Sequence, residues 1–385
     1  MIPRQAADTL VRLAQGFPVL AITGPRQSGK TTLARSVFAD KPYVSLENPE
    51  QREFAQTDPQ RFLARFTQGA ILDEVQRCPA LLSWLQQRVD ERALMGDFIL
   101  TGSAQFDLMA GITQSLAGRV GRVELLPLSG AELGRSLLPD SLDTLLLKGG
   151  YPALYDRTLA PTDWFPNYVA TYLERDVRQL VAVHDLNQFH RFVKMCAARS
   201  GQLLNLAALG ADCGISAVTA AKWLSVLETS YLVLRLPPYH RNFGKRLVKT
   251  PKLYFLDVGL MAWLLGLRDT TTLATHAARG ALFETWVVSE LLKQRFNAGQ
   301  SAELFFWRDS VGHEVDVVFE TAQGLQAIEI KSGSTFASDW PQAALKWAQL
   351  SASALAPQII YGGAERYTRQ GCEVSGWREF ASNMP

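Results

Sequence analysis

Two groups of residues in this chain have the types and spacing to do chemistry on phosphates. The first is Gly24-Pro25-Arg26-Gln27-Ser28-Gly29-Lys30-Thr31, which fits the pattern GxxxxGK[ST], with Thr32 following it. Glycines at those positions let a backbone curl until its N–H groups face phosphate oxygens, and a helix starting at the loop adds positive potential. Lys30 then reaches the β- and γ-phosphates, and the Thr31 hydroxyl suits Mg²⁺. The sequence therefore implies a site for ATP and Mg²⁺. Ala70-Ile71-Leu72-Asp73-Glu74 supplies a second half: an apolar strand ending in two carboxylates. Asp73 suits an outer ligand of the Mg²⁺, and Glu74 suits the base that polarises an attacking water.

Further along, Thr101-Gly102-Ser103 ends another apolar run. Ser103 reads either as a γ-phosphate or water contact or as a capping hydroxyl. Arg119 and Arg122, in Gly118-Arg119-Val120-Gly121-Arg122, are candidates for an arginine finger, with Arg119 preferred. Such a finger acts in cis or from a neighbouring subunit, and the second case requires a homo-oligomer.

The second group lies near the end of the chain. Glu314, Asp316, Val318 and Glu320 would share one face of a strand over residues 314–320, and Glu329 and Lys331 share a face of the next. The turn at Gln323-Gly324 makes the two strands a hairpin, so Asp316, Glu329 and Lys331 can meet. Glu284, on a preceding helix, would complete the cluster. Asp316 and Glu329 are the types that hold Mg²⁺ against a phosphodiester, and a lysine can orient the attacking water.

These groups need a scaffold. Apolar runs at 18–23, 43–46, 70–72 and 97–100 alternate with helical patterns, the signature of a parallel α/β sheet over residues 1–135. Residues 136–245 turn helical. A helix over 168–180 carries Glu174, Arg175, Asp176 and Arg178, and 203–209, the turn at 212–215 and 216–227 read as helix, turn, helix. With Ser216 as a cap and a strand at 231–236, that order is a winged helix. Residues 246–385 alternate again: a helix over 278–295, strands at 314–320 and 325–331, a helix, and an apolar run at 357–361. Basic residues Arg241, Lys245, Arg246, Lys249 and Lys252 stand between the second and third regions. They read either as a wing following a phosphate backbone or as a solvated linker. Ser216 to Leu227 holds only Lys222 as a basic residue, so DNA is one partner to expect there and protein another.

Composition narrows the class. Of the 385 residues 47% are apolar and 20% charged, which fits a globular chain of two or three domains. The net charge of +2 rules out a polycation, so any nucleic-acid contact must be local. Cys78, Cys196, Cys213 and Cys372 lie far apart and read as reduced thiols. The apolar stretch at 253–267 is too short and too interrupted for a membrane span. Arg4, Asp8 and Arg12 at the start do not read as a secretory signal, so the cytoplasm is the expected compartment.

Gly24-Pro-Arg-Gln-x-Gly-Lys-Thr-Thr-Leu33, Ile71-Leu-Asp-Glu-Val-Gln76, Leu100-Thr-Gly-Ser103, Gly118-Arg119 and Leu126-Pro-Leu-Ser129 together resemble a bacterial and archaeal AAA+ ATPase family. Its members carry a C-terminal conserved domain of uncertain function. Tyr172-Leu-Glu-Arg-Asp176 and Pro251-Lys-Leu-Tyr-Phe-Leu-Asp257 resemble its linking region. The resemblance implies an AAA+ core, a helical and winged-helix middle, and a restriction-endonuclease-like end. Glu284…Asp316…Glu329-x-Lys331 is similar to the PD-(D/E)XK nuclease superfamily, with Val315 where the superfamily name has proline. Two functions follow as expectations: an ATP-fuelled DNA-processing enzyme with a metal-dependent cut, or a nucleotide-dependent switch whose nuclease fold binds without cleaving.

Overall fold

The computed structural model describes residues 2–102, 115–173, 186–239 and 248–382, and for 172 and 173 the backbone alone. Ser103, the charged face Glu174, Arg175, Asp176 and Arg178, and the basic residues Arg241, Lys245 and Arg246 lie outside the described residues. The chain forms two compact units. One comprises Met1–Leu128, Thr229–Tyr231 and Arg295–Ser301, and the other Ser129–Glu228, Leu232–Gln294 and Ala302–Pro385. No helix among the described residues is long and apolar enough to cross a membrane.

The first unit holds a parallel sheet of β1 (Val19–Thr23), β2 (Tyr43–Ser45), β3 (Ala70–Asp73), β4 (Phe98–Gly102) and β5 (Val120–Glu124). Its order is β2-β3-β4-β1-β5. Strands covered on both faces read as near-continuous apolar runs, and β1, β3 and β4 are buried throughout, with Thr23, Asp73 and Thr101 polar only toward their C-terminal ends. Alternation divides them between two cores. Val19, Ala21, Leu72, Phe98 and Leu100 pack with Phe62, Leu81 and Leu85, while Leu20, Ile22, Ile71 and Ile99 pack with Leu10, Leu33 and Ala34. The run at 97–100 continues as a strand to Gly102, because Thr101 pairs with Ile22 of β1 and stays in the sheet.

The second unit contains two sheets. The smaller joins β6 (Gln202–Leu203), β7 (Val233–Leu236) and β8 (Lys252–Phe255) in the order β6-β8-β7, all antiparallel. Helices Leu186–Ala198, Leu206–Cys213 and Ala217–Thr229 accompany it. The helix read at 203–209 is shifted. Asn205 caps it by accepting from Ala208 N at 3.0 Å, and Leu203 is taken into the sheet opposite Lys252. Ser216 caps the next helix as its type demands, accepting from Thr219 N at 3.0 Å. The boundary drawn at residue 246 also needs correction: β8 pairs with β6 and β7 of the middle region, a nonlocal choice that a strand pattern cannot reveal.

The larger sheet is β13 (Arg366–Arg369), β14 (Cys372–Gly376), β12 (Gln358–Tyr361), β11 (Gly324–Lys331), β10 (Glu314–Thr321) and β9 (Phe305–Arg308), in that order. A hairpin joins β10 to β11, and the helix Gln342–Ser351 crosses over to bring β12 parallel to β11. The even alternation expected along 314–320 does not hold. A register shift against β9 falls between Val315 and Val318, and both valines enter the same apolar cluster as Trp307 and Trp347. A bulge of this kind interrupts the two-residue period, so Val318 is core and Glu320 is exposed.

Asp257 ties distant segments of this unit together. It caps the helix Val258–Leu264 by accepting from Leu260 N at 2.8 Å and accepts from Gly150 N at 2.7 Å. Gly149 has φ +68°, and a Cβ there would lie 2.4 Å from Asp257 Oδ1, so the close approach requires glycine. Losing a cap and a buried charged hydrogen bond together costs about 3 kcal/mol. Asp257→Ala is expected to lower the urea midpoint by that equivalent. An unchanged midpoint would show that the carboxylate does not hold these segments.

Candidate functional site

The phosphate loop leaves β1 at Thr23, whose Oγ1 lies 2.7 Å from Tyr231 Oη. Gly24 adopts φ +148° and Gly29 φ +96°, left-handed backbone that only glycine takes without strain. A Cβ on Gly24 would meet Leu125 O at 2.2 Å. The helix Lys30–Val37 then begins, and Lys30 folds back into the loop. Its buried ammonium donates to Pro25 O at 2.8 Å and Gly24 O at 3.1 Å. Ser28 Oγ is buried and finds no partner among the described residues. Arg4, which in the sequence counts only against a secretory signal, fixes the loop from outside. It donates to Ser28 O at 2.6 Å and Leu126 O at 2.7 Å.

Asp73 ends β3 with 8% of its surface exposed, and hydroxyls surround it. Thr31 Oγ1 donates to its Oδ1 at 2.9 Å, Thr101 donates to the same oxygen, and Tyr43 Oη donates to Oδ2 at 2.8 Å. Because β4 lies between β3 and β1, Thr101 is carried to the carboxylate from the strand in between. Burial, reinforced by this bond, pushes the Tyr43 phenol up to about 12, so it remains a donor. Tyr43 and Thr101 were not singled out by sequence, since each reads as an ordinary strand residue until the sheet order is known. The oxygens of Thr31 and Asp73 are a donor set that fits Mg²⁺.

Glu74 follows with φ +54° and ψ +44°, a left-handed conformation costing a non-glycine residue about 1–3 kcal/mol. Its Oε2 accepts from Gln76 Nε2. Arg119 is not brought to the loop. It precedes β5, and its carbonyl accepts from Val19 N at the start of β1, the opposite end of that strand from Gly24. Asp90 receives its guanidinium through two bonds of 2.5 and 2.9 Å. Arg122 lies along β5, 3.2 Å from Glu124. A finger in cis is thereby excluded for Arg119, because the strand direction sends it to the end of the sheet opposite the loop.

In the second unit, β10 and β11 do bring Asp316, Glu329 and Lys331 together. Ile330 N donates to Asp316 Oδ2 at 2.8 Å, and Lys331 Nζ lies 2.5 Å from Glu329 Oε1. Asp316 and Glu329 are 8% and 5% exposed, and Glu329 Oε2 is buried without a partner among the described residues. Burial, then the neighbouring Glu329 charge, raises the Asp316 carboxyl well above its usual range. Burial likewise raises Glu329, against the pull of Lys331. Burial opposes the Lys331 charge, but Asp316 and Glu329 outweigh it and hold its pKa above the usual value.

Glu284 joins this cluster through a residue that sequence misjudged. Lys252, counted in a basic run that was either phosphate-facing or solvated, is 3% exposed. Its Nζ lies 3.0 Å from Glu284, 2.5 Å from Glu314 and 3.9 Å from Asp316. Tyr254 Oη donates to Glu284 at 2.5 Å, and Arg308 donates to Glu314 at 3.0 Å. Both Lys252 and Tyr254 come from β8, whose pairing was not legible. Among the described residues no three His, Cys, Asp or Glu side chains gather as a metal-ligand set. Asp316 and Glu329 form a pair, and the orphaned Glu329 oxygen fits a cation.

A family model described as an AAA domain matches residues 16–134. Models described as domains of unknown function match 139–271 (DUF8612) and 279–380 (DUF4143). With the parallel sheet, the phosphate loop and the Asp73 strand, this defines an AAA-type P-loop ATPase domain at the start of the chain. Uncharacterized proteins of Mycobacterium tuberculosis and Mycobacterium bovis are each 34% identical over 369 residues, spanning 94% of this chain and 81% of their own length. The chain belongs to the family that these mycobacterial proteins represent. Among solved structures, a Walker-type ATPase of Pyrococcus abyssi is similar at a TM-score of 0.45 and 15% identity, over 69% of this chain and 96% of that one. RuvB of Thermotoga maritima is similar at 0.31 and 18%, over 60% and 89%.

The hydroxyls around Asp73 yield a test. A hydrogen bond to a buried charge is worth about tenfold in affinity. Thr101→Val and Tyr43→Phe should each weaken ATP binding about tenfold in millimolar Mg²⁺ and leave binding in EDTA unchanged, as read by calorimetry. Equal losses in both conditions would mean that these hydroxyls serve only the fold.

Proposed function

We propose that the chain binds and hydrolyses ATP·Mg²⁺ at the phosphate loop and couples that cycle to metal-dependent phosphodiester chemistry on DNA at the Glu284, Asp316, Glu329 and Lys331 cluster. In the ATPase half, residues 24–31 hold the phosphates and Lys30 leaves the loop carbonyls for the β- and γ-phosphates. Thr31 and Asp73 hold Mg²⁺, and Glu74 polarises the water. The short tether from Gln76 keeps the Glu74 carboxylate aimed until the water replaces it. Arg119, lying away from its own loop, serves as a finger in trans, in a homo-oligomer.

The observation that carries the second half is the buried Asp316–Glu329 pair, with one carboxylate oxygen unsatisfied and Lys331 against the other. Two acids forced together out of water favour a cation, and a divalent ion bound there supplies Lewis acidity toward the phosphodiester. Lys331 is positioned to orient the attacking water. Two further features support the reading. The order of the helix Arg279–Asn297, β9, β10, β11, the helix Gln342–Ser351 and β12 fits the one expected of a restriction-endonuclease-like core. Three helices with β6, β7 and β8 follow the order of a winged helix, a module that docks on DNA or on protein.

One observation favours a second reading. Lys252 already neutralises Glu284 and Glu314, as expected of a nuclease-like fold kept as a binding module and switched by nucleotide. Comparing wild type, Lys30→Ala and Asp316→Ala separates the two. Asp316→Ala should lose DNA cleavage in Mg²⁺ or Mn²⁺ by more than about a hundredfold and keep ATP turnover within about twofold. Lys30→Ala should lose turnover. If wild type with ATP and either metal nicks neither DNA nor RNA, the switch reading replaces the nuclease reading.

A further inference from the structure

The carboxylate cluster has its own cation, delivered from another sheet. Lys252 opens β8, opposite Leu203 of β6 and Leu236 of β7, and is among the least exposed lysines in the described residues. Its side chain passes the ring of Phe306, with Nζ 5.6 Å from the centroid, and ends between Glu284 and Glu314. Asp316 Oδ1 lies 3.9 Å from the same nitrogen. Among the described residues, four carboxylates (Glu284, Glu314, Asp316 and Glu329) and three cations (Lys252, Lys331 and Arg308) face the site.

These partners divide the cluster. Glu284 is bound by Lys252 and Tyr254, and Glu314 by Lys252 and Arg308. On the other side Glu329 Oε2 has no donor among the described residues, and the Lys252 ammonium stays 3.9 Å from Asp316 Oδ1. A divalent ion attracted to all four acids would have to displace a buried ammonium already held by two of them, and a buried charge stripped of its partners is strongly unfavourable.

We propose that Lys252 is the resident cation of this site: it occupies the Glu284 and Glu314 side, excludes a second divalent ion there, and leaves room for one ion at Asp316 and Glu329. The inference rests on the reading of Asp316 and Glu329 as a metal pair, and it makes Lys252 a positioning residue, acting through Glu284. Burial alone would lower the lysine's pKa, but Glu284, then Asp316 and Glu314, outweigh it and hold the ammonium charged. Arginine, with a larger fork, keeps the charge, whereas methionine keeps the length and removes it.

The test counts Mn²⁺ bound to the full chain without nucleotide, by the electron paramagnetic resonance of free Mn²⁺, for wild type, Asp316→Asn, Lys252→Arg and Lys252→Met. Wild type and Lys252→Arg should bind the same number of ions, with one lost in Asp316→Asn. Lys252→Met should bind one ion more, or the same ion at least about tenfold more tightly. Its melting temperature should fall without metal and recover in millimolar Mn²⁺, the divalent ion standing in for the ammonium. If Lys252→Met does not fold even with Mn²⁺, Lys252→Met/Glu314→Gln restores the charge balance and is read the same way. Unchanged Mn²⁺ binding in the folded methionine variants overturns the inference and leaves the metal pair standing. Should wild type and Asp316→Asn bind equally, the metal reading fails. A site gained in Lys252→Met would then still support the resident cation, and no gain would overturn it as well.

Discussion

A carboxylate taken out of water has to be met by donors or by an opposite charge, and both sites in this chain are arranged around that constraint. Asp73 is met by three hydroxyls, from Thr31, Thr101 and Tyr43, each on a different element. None of the three is charged, so these partners do not supply the opposite charge that a metal ion would bring. Asp316 and Glu329 face each other across two strands and are met unequally, by one backbone N–H and one lysine. Their unsatisfied remainder is the part with chemistry left to do. Asp257 is the structural counterpart: its bonds to Gly150 and Leu260 leave it no such remainder.

The same constraint explains why the elements lie where they do. The order β2-β3-β4-β1-β5 puts β4 between the loop strand and the acid strand, and only from that position can Thr101 reach Asp73. In the second unit, the sheet of β6, β8 and β7 supplies Lys252 and Tyr254 to acids carried by a helix and by β10. Removing either supplier would leave buried charge uncompensated. Each site is therefore coupled to the folding of the element that satisfies it.

Legibility followed the range of the interaction. The loop at residues 24–31 was readable because a glycine curl followed by lysine and threonine acts within a few residues of backbone. Asp316, Glu329 and Lys331 were readable because a hairpin is local and its register follows from a short turn. The strand length at 97–102, the shifted helix Leu206–Cys213 and the bulge between Val315 and Val318 were not, since each depends on which neighbour a strand pairs with. Arg119 illustrates the same limit: its type and its glycine context suggest a finger, but strand direction sets it at the end of β5 opposite the phosphate loop, held by Asp90.

By itself the sequence determined the phosphate loop, the acid-ended strand, the alternation that makes a parallel sheet, and the acids and lysine of the hairpin. All of these are encoded in spacings shorter than one supersecondary unit. Only the tertiary structure decided what surrounds them: the hydroxyls of Tyr43 and Thr101 at Asp73, the Arg4 brace on the loop, and Lys252 among Glu284, Glu314 and Asp316. Those partners come from segments about 20 to 120 residues away in the chain, and burial rather than spacing selects them. A lysine in a basic run and a lysine inside an acidic cluster look alike until the strand that carries it has found its neighbours.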